Sequence, residues 1–276
     1  MHVRVGHSPD PDDAFMVWAI AERAFDLRGF EIELVPADIQ TLNTWAMEGR
    51  LEATAMSVGA YPGVQDTYRL LGHGASLGEG YGPVVVAREP LAPADLAGQR
   101  VAVPGPQTTA FLTARLALPA FEPVQLDFER IMEAVAAGEV AAGVVIHEGQ
   151  LTWEQEGFSR VLDLGAWWEG ETGGMPLPLG AVAMRRDVPE DRALDLSAVL
   201  KEAVAVGMEH REEALAYAIE YGRGIAPDLN DRFVAMYVND LTLDYGERGR
   251  TAVEALLERG AAAGLLPSPV KLDFLG

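Results

Sequence analysis

With 276 residues, 49 % of them hydrophobic, the chain can bury one large core or two smaller ones, and it is too apolar to be disordered. A net charge of −21 counts against nucleic acid or an anionic membrane surface as partner, and no apolar run reaches the ~18 residues of a membrane span. Cysteine is absent, which excludes disulfides, thiolate nucleophiles, zinc–thiolate sites and a lipoprotein anchor.

The N-terminus, Met1-His2-Val3-Arg4-Val5, runs straight into a strand pattern with no secretory signal, so a cytoplasmic protein is expected. The two lysines, Lys201 and Lys271, both lie in the C-terminal third, which disfavours Schiff-base chemistry in a central cleft. Few Lys and no Cys beside many Ala, Gly, Pro and Arg point to a GC-rich and thermophilic source.

In chain order, 3–6 reads as a short strand and 7–13 as a turn and helix start, where Asp12 or Asp13 can cap the orphan amides of a helix over 14–24. A strand over 30–35 follows, then a helix from Asp38 to Gly49 and a strand over 51–56 with Ser57 at its end. Ser57 opens another short helix. The glycine-rich passage 71–83 lacks the strand–turn–helix setting of a dinucleotide fingerprint and reads as structural. An apolar strand at 84–87 comes next, and Pro90 to Pro93 looks like a crossing into a second lobe.

The second lobe repeats the grammar of the first. Val101-Ala102-Val103-Pro104-Gly105-Pro106 parallels Val3-Arg4-Val5-Gly6-His7-Ser8, and the run from Gly138 to His147 parallels that from Gly49 to Ser57. Such a repeat implies two α/β lobes facing one another across a cleft. Thr108 and Thr109 open a helix over 110–118, whose free N-terminal amides suit an anion, with hydroxyl donors beside them. Thr108 and Ser57 can equally be plain N-caps, and the two roles are compatible.

Gly143-Val144-Val145-Ile146 is a buried strand that ends in His147-Glu148-Gly149. Ligands sit beyond the carboxyl ends of parallel strands. An imidazole there suits a general base, although a histidine closing the strand end by a hydrogen bond to a loop fits the run as well. Trp167 and Trp168 are read mainly as packing, with ligand stacking open for one ring, and His2 and His210 as structural. A strand over 178–184 returns the chain to the first lobe. Helices over 191–210, 212–222, 230–238 and 247–264 complete it. Two crossings, near 88 and 179, would make a two-strand hinge, with residues 1–87 and 180–276 in the larger lobe and 88–179 in the smaller.

These residues together resemble the 1,4-dihydroxy-6-naphthoate synthase family of the futalosine route to menaquinone. The resemblance runs end to end. It rests on Ser8-Pro9-x-Pro11, Val101-Ala102-Val103-Pro104-Gly105 with Thr108-Thr109-Ala110, Ile146-His147-Glu148-Gly149, Asp163-Leu164-Gly165-x-Trp167-Trp168-Glu169 and Asp244-Tyr245-Gly246-Glu247. It implies the type-II periplasmic-binding-protein-like α/β fold and a lyase that needs no cofactor or metal. The substrate would be cyclic dehypoxanthinylfutalosine, an aromatic carboxylate that loses a proton, releases dihydroxyacetone and aromatises. The resemblance makes His147 the proton acceptor and Ala55, Met56, Ser57, Thr108 and Thr109 the substrate-binding residues, with Asn43 lining the cleft. Many members read Ser-Pro-Cys-Pro-Asn-Asp-Thr at the first loop, where this chain has Asp10, Asp12 and Ala14, and a lysine common before the cleft serine is absent. No first-loop residue is therefore carried over as a substrate contact.

Two other readings share the fold: chorismate dehydratase of the same pathway, and a non-catalytic binding protein for an aromatic carboxylate. The Ile-His-Glu-Gly and Thr-Thr motifs favour the synthase over the first. The lack of an export signal and anchor cysteine counts against the second. A monomer or homodimer is expected.

Overall fold

The computed structural model describes residues 1–221, 224 and 226–275. Two sheets carry the chain. Alternating and continuous apolar runs build β1 (His2–His7), β2 (Glu31–Pro36), β3 (Ala53–Ser57), β4 (Tyr68–Leu71) and β5 (Ser76–Gly78), with α1 (Pro11–Ala21) and α2 (Ile39–Met47) between the first three. A 3-10 turn, Val58–Gly63, follows β3. The second sheet holds β6 (Val84–Ala87), β7 (Arg100–Val103), β8 (Glu122–Gln125), β9 (Ala142–Val145) and β10 (Ser159–Asp163), with α3 (Thr109–Ala117), α4 (Ile131–Ala136), α5 (Gly149–Thr152) and α6 (Leu164–Thr172). β11 (Leu177–Arg185) returns to the first sheet. Then come α7 (Glu190–Glu209), α8 (Arg211–Ile219), α9 (Pro227–Tyr237), α10 (Asp240–Leu243), α11 (Gly246–Ala262) and β12 (Phe274–Leu275). Gly222, the expected end of α8, lies outside the described residues.

The expected repeat is present in the topology. The first sheet contains the order β11-β3-β1-β2, the second β6-β9-β7-β8. In each, a parallel three-strand unit is flanked by one antiparallel strand. In the first sheet that strand is β11 and in the second β6, so each unit's fourth strand lies next to a chain crossing.

The crossings are earlier than expected. Val84–Ala87 pairs with β9 and β10, so it belongs to the second unit and the outward crossing lies at 79–83, before that strand. Alternation cannot tell which sheet an apolar strand joins. The return lies at 173–176, because β11 already pairs with β5 from Leu177. The two crossing segments thus leave from adjacent strands. The outward one runs close to its neighbours: a Cβ on Gly165 would sit 2.0 Å from the Tyr81 carbonyl oxygen, and one on Gly78 would meet the same atom at 2.0 Å. Only glycine allows that approach.

The core follows this layout. One apolar cluster runs through both units and includes Met56, Tyr61, Val144, Trp168, Leu177 and Leu256. A second packs α1 against α7 through Phe15, Trp18, Leu196 and Val199. α1 starts at Pro11 and not at Ala14, because proline fits the first helical position. Asp12 and Asp13 therefore sit inside the first turn and are not caps. Asp10 occupies the cap position in an extended conformation, with no side-chain capping bond.

Candidate active site

β9 ends at Val145, so His147 stands in the turn after it and not on the strand. Its backbone is left-handed, with φ +67°, an unusual conformation for a residue with a side chain. Three contacts hold it there. Nδ1 lies 2.9 Å from Asp10 Oδ1. The imidazole stacks at a tilt on Phe128, with ring centroids 3.8 Å apart. The Gln150 amide, with its nitrogen turned to Tyr237, donates to Tyr237 Oη at 2.7 Å and Gly82 O at 2.6 Å, and its oxygen accepts from His147 N at 3.3 Å. His147 is 8 % exposed, and its Nε2 is buried with no hydrogen-bond partner. The residue lines a cleft between the two units.

The first loop, from which no substrate contact was carried over, borders this cleft. Asp10, Asp12 and Asp13 all line it. Asp10 also accepts from the Ser8 hydroxyl. Asp13 Oδ2 accepts from Ser8 N at 2.7 Å, and Ser76 Oγ donates to Asp12 Oδ2 at 3.2 Å. Burial, then the charges of Asp13 and Asp10, push the Asp12 carboxyl well above the usual carboxylate range. Burial also pushes Asp13 up to about 7, against the pull of the Ser8 amide. Raised in this way, the carboxyls of Asp12 and Asp13 favour the protonated form, which donates as well as accepts a hydrogen bond. Among the described residues, no three His, Cys, Asp or Glu are arranged to hold a metal ion.

Ala55, Met56 and Ser57, at the end of β3, line the cleft. Ser57 makes no side-chain cap to the turn it opens. Asn43 is not on the wall. It is fully buried behind Ser57, donating from Nδ2 to Ser57 Oγ at 3.0 Å and accepting from Ser57 N at 2.8 Å. A polar side chain with no exposure needs partners at both ends, and Ser57 supplies both. Accepting from Asn43 leaves the Ser57 hydroxyl proton for the cleft.

Thr108 and Thr109 line the cleft, but their hydroxyls are engaged by protein. Thr108 Oγ1 donates to Gly105 O at 2.8 Å and accepts from Phe111 N at 3.2 Å, which makes it the N-cap of α3. Thr109 Oγ1 donates to Leu179 O at 2.7 Å and accepts from Gly59 N at 3.0 Å, joining the two units. The donors α3 offers a ligand are its first backbone amides, which have no acceptor within the helix.

Phe233 and Tyr237 of α9 form an aromatic wall that sequence reasoning missed. Their ring centroids are 5.3 Å apart, and burial, with the charge of Asp12, pushes the Tyr237 hydroxyl well up. Nothing in the sequence separates these aromatics from core residues of the same helix. Trp167 and Trp168 do not line the cleft. Trp168 is fully buried and donates from Nε1 to Pro176 O at 3.0 Å. Glu148 is buried, at 5 % exposure, and is not among the cleft-lining residues. His2 is exposed beside Glu33, and His210 terminates α7 against Trp18.

A family described as Menaquinone biosynthesis matches residues 3–262. A Thermus thermophilus protein named 1,4-dihydroxy-6-naphthoate synthase is 43 % identical over 268 residues, 97 % of each chain. A crystal structure of an Archaeoglobus fulgidus protein superposes with a TM-score of 0.92 at 44 % identity, covering 96 % of this chain and 98 % of that one. The alkanesulfonate-binding protein of Xanthomonas axonopodis shares the fold alone, with a TM-score of 0.71 at 17 % identity over 98 % of this chain and 95 % of its own. The architecture is thus the type-II periplasmic-binding-protein-like α/β fold, and on the extent of these matches the chain belongs to the menaquinone biosynthesis family.

Proposed function

We propose that the protein is a 1,4-dihydroxy-6-naphthoate synthase, a cofactor-independent lyase that converts cyclic dehypoxanthinylfutalosine to 1,4-dihydroxy-6-naphthoate and dihydroxyacetone. The observation that carries this reading is the buried, unpartnered Nε2 of His147, a residue that lines the cleft between the two units. The high identity to a relative of that name supports it.

The lining suggests how the substrate sits. The Asp10 carboxylate repels a second anionic group, so the aromatic carboxylate belongs at the α3 amides and the Ser57 hydroxyl. The hydroxyl-rich, sugar-derived part then faces the aspartates and Ser76. Apolar groups such as Ile39, Ile146 and Leu179 surround the ring system. His147 Nε2 takes a proton from the substrate, the bonding electrons remain on the substrate, and the sugar-derived fragment is expelled as the ring aromatises. Closing of the two units over bound substrate would keep bulk water from the carbanion-like state.

The test is incubation of purified protein with cyclic dehypoxanthinylfutalosine, without added metal or cofactor, with products followed by chromatography and mass. Dihydroxynaphthoate and dihydroxyacetone should form in equal amounts. Turnover of chorismate instead would assign the sister reaction, and binding without turnover would make the protein a carrier. His147→Ala should lose about 100-fold or more in kcat while keeping its affinity for the naphthoate product. Near-normal turnover in that variant would remove His147 from the mechanism.

A further inference from the structure

We propose that Asp10 is a positioning residue for His147: its carboxylate fixes the imidazole tautomer that leaves Nε2 free to accept the substrate proton. This rests on the reading of His147 as the base. Asp10 Oδ1 stands 2.9 Å from Nδ1, and both side chains are about nine-tenths buried, at 10 % and 8 % exposed. A carboxylate can only accept at that distance, so Nδ1 carries the proton of the neutral ring and Nε2 carries the lone pair. The second Asp10 oxygen accepts from the Ser8 hydroxyl, which pins the carboxylate in turn. Nε2 has no protein partner, and His147 lines the cleft.

The pair also spans the molecule. Asp10 lies between β1 and α1 of the first unit, and His147 follows β9 of the second. The tautomer is therefore set only when the two units meet, so the base is complete only in the closed cleft. During the reaction the substrate's bond to hydrogen breaks and its electron pair stays on the substrate. The proton moves to Nε2. The resulting imidazolium donates from Nδ1 to Asp10, which remains ionised, and the proton returns from Nε2 to the departing three-carbon fragment.

The experiment is nitrogen NMR of the full-length protein labelled at histidine, with the His147 signals identified by their loss in His147→Ala. It is paired with steady-state kinetics of Asp10→Asn and Asp10→Glu. In wild type the neutral His147 ring should show the proton on Nδ1. Asp10→Asn presents an amide donor in place of the carboxylate, and should move the proton to Nε2. Its kcat should fall about 100-fold or more while affinity for the naphthoate product, which lacks the sugar-derived part, stays within about threefold. Asp10→Glu should recover part of the kcat and the wild-type tautomer. A wild-type ring protonated on Nε2, or an Asp10→Asn enzyme with kcat within about threefold of wild type, would overturn the proposal. The tautomer measurement needs no turnover. A protein that shows the Nδ1–H ring but no activity on the futalosine would keep the Asp10–His147 pairing and reject the assigned reaction.

Discussion

Asp13 is a residue whose ionisation the fold works against. In the unfolded chain its carboxyl titrates near 3.8, whereas burial raises it to about 7 in the folded protein. Between those values the folded state holds a proton that the unfolded state has released, so stability falls as pH rises from about 4 to about 7 and is level above. Asp13→Asn is neutral throughout and should flatten that part of the profile. Calorimetric melting of both proteins across this range checks it, and parallel profiles would count against a protonated Asp13. The same residue scale shows what was legible in the sequence. His147 stood out because an apolar run ends in a single imidazole. The engagement of the Thr108 and Thr109 hydroxyls did not stand out, because their acceptors, Gly105 and Leu179, come from the local turn and from a distant strand. Asp10 was hidden for a related reason: its partner lies 137 positions away in the other unit.

Glu52, just before β3, shows how elements are joined. Its carboxylate accepts from Arg4 N at 2.9 Å, Arg4 Nε at 3.1 Å and Arg4 Nη2 at 3.0 Å on β1, and Arg185 Nη2 on β11 lies 3.2 Å away. Burial pushes this carboxyl up, but the Arg4 hydrogen bonds and the two guanidinium charges outweigh it and bring it to about 2. Its contribution is therefore present above about 4.5 and lost as pH falls through about 2. Arg4 is 40 % exposed, so solvent screening limits the benefit. Glu52→Gln should cost about 1 kcal/mol near neutral pH, with the gap to wild type closing in acid. Denaturant titrations at the two pH values measure this, and an equal gap at both would mean that packing and not charge joins these strands. The longer elements were readable because their apolar spacing is regular, whereas β8, β10, β12, α4, α5, α6 and α10 are short or lack a clear period and were not read. β4 and β5 were also missed, since their short runs flank a glycine-rich passage that reads as loop, and β5 is held by pairing with β11.

At the scale of the whole molecule, the two units meet through polar contacts outside the reacting centre. Gln40 of α2 donates from Nε2 to Gln107 Oε1, and Gln107 N donates back to Gln40 Oε1 at 3.2 Å. Gly105 makes room for this: a Cβ there would lie 2.1 Å from Gln40 Oε1. The repeat in the sequence revealed two units and a cleft. It could not reveal this latch, because neither glutamine belongs to the repeated pattern and their approach depends on how the units close. A ligand that bridges both units favours the closed form, so weakening the latch should lower affinity without altering the chemistry once closed. Neither glutamine lines the cleft. Gln40→Ala removes both bonds, each worth about 0.5–1.5 kcal/mol, and should weaken binding of 1,4-dihydroxy-6-naphthoate by roughly 5- to 100-fold with kcat largely kept. Gly105→Ala should act in the same direction by forcing Gln40 aside. Titration calorimetry with the product, beside initial rates at saturating substrate, separates the two quantities. A drop in kcat with unchanged affinity would place these residues in the chemistry and not in closure, whereas loss of affinity alone would show that the cleft's grip on its ligand is set partly by contacts the ligand never touches.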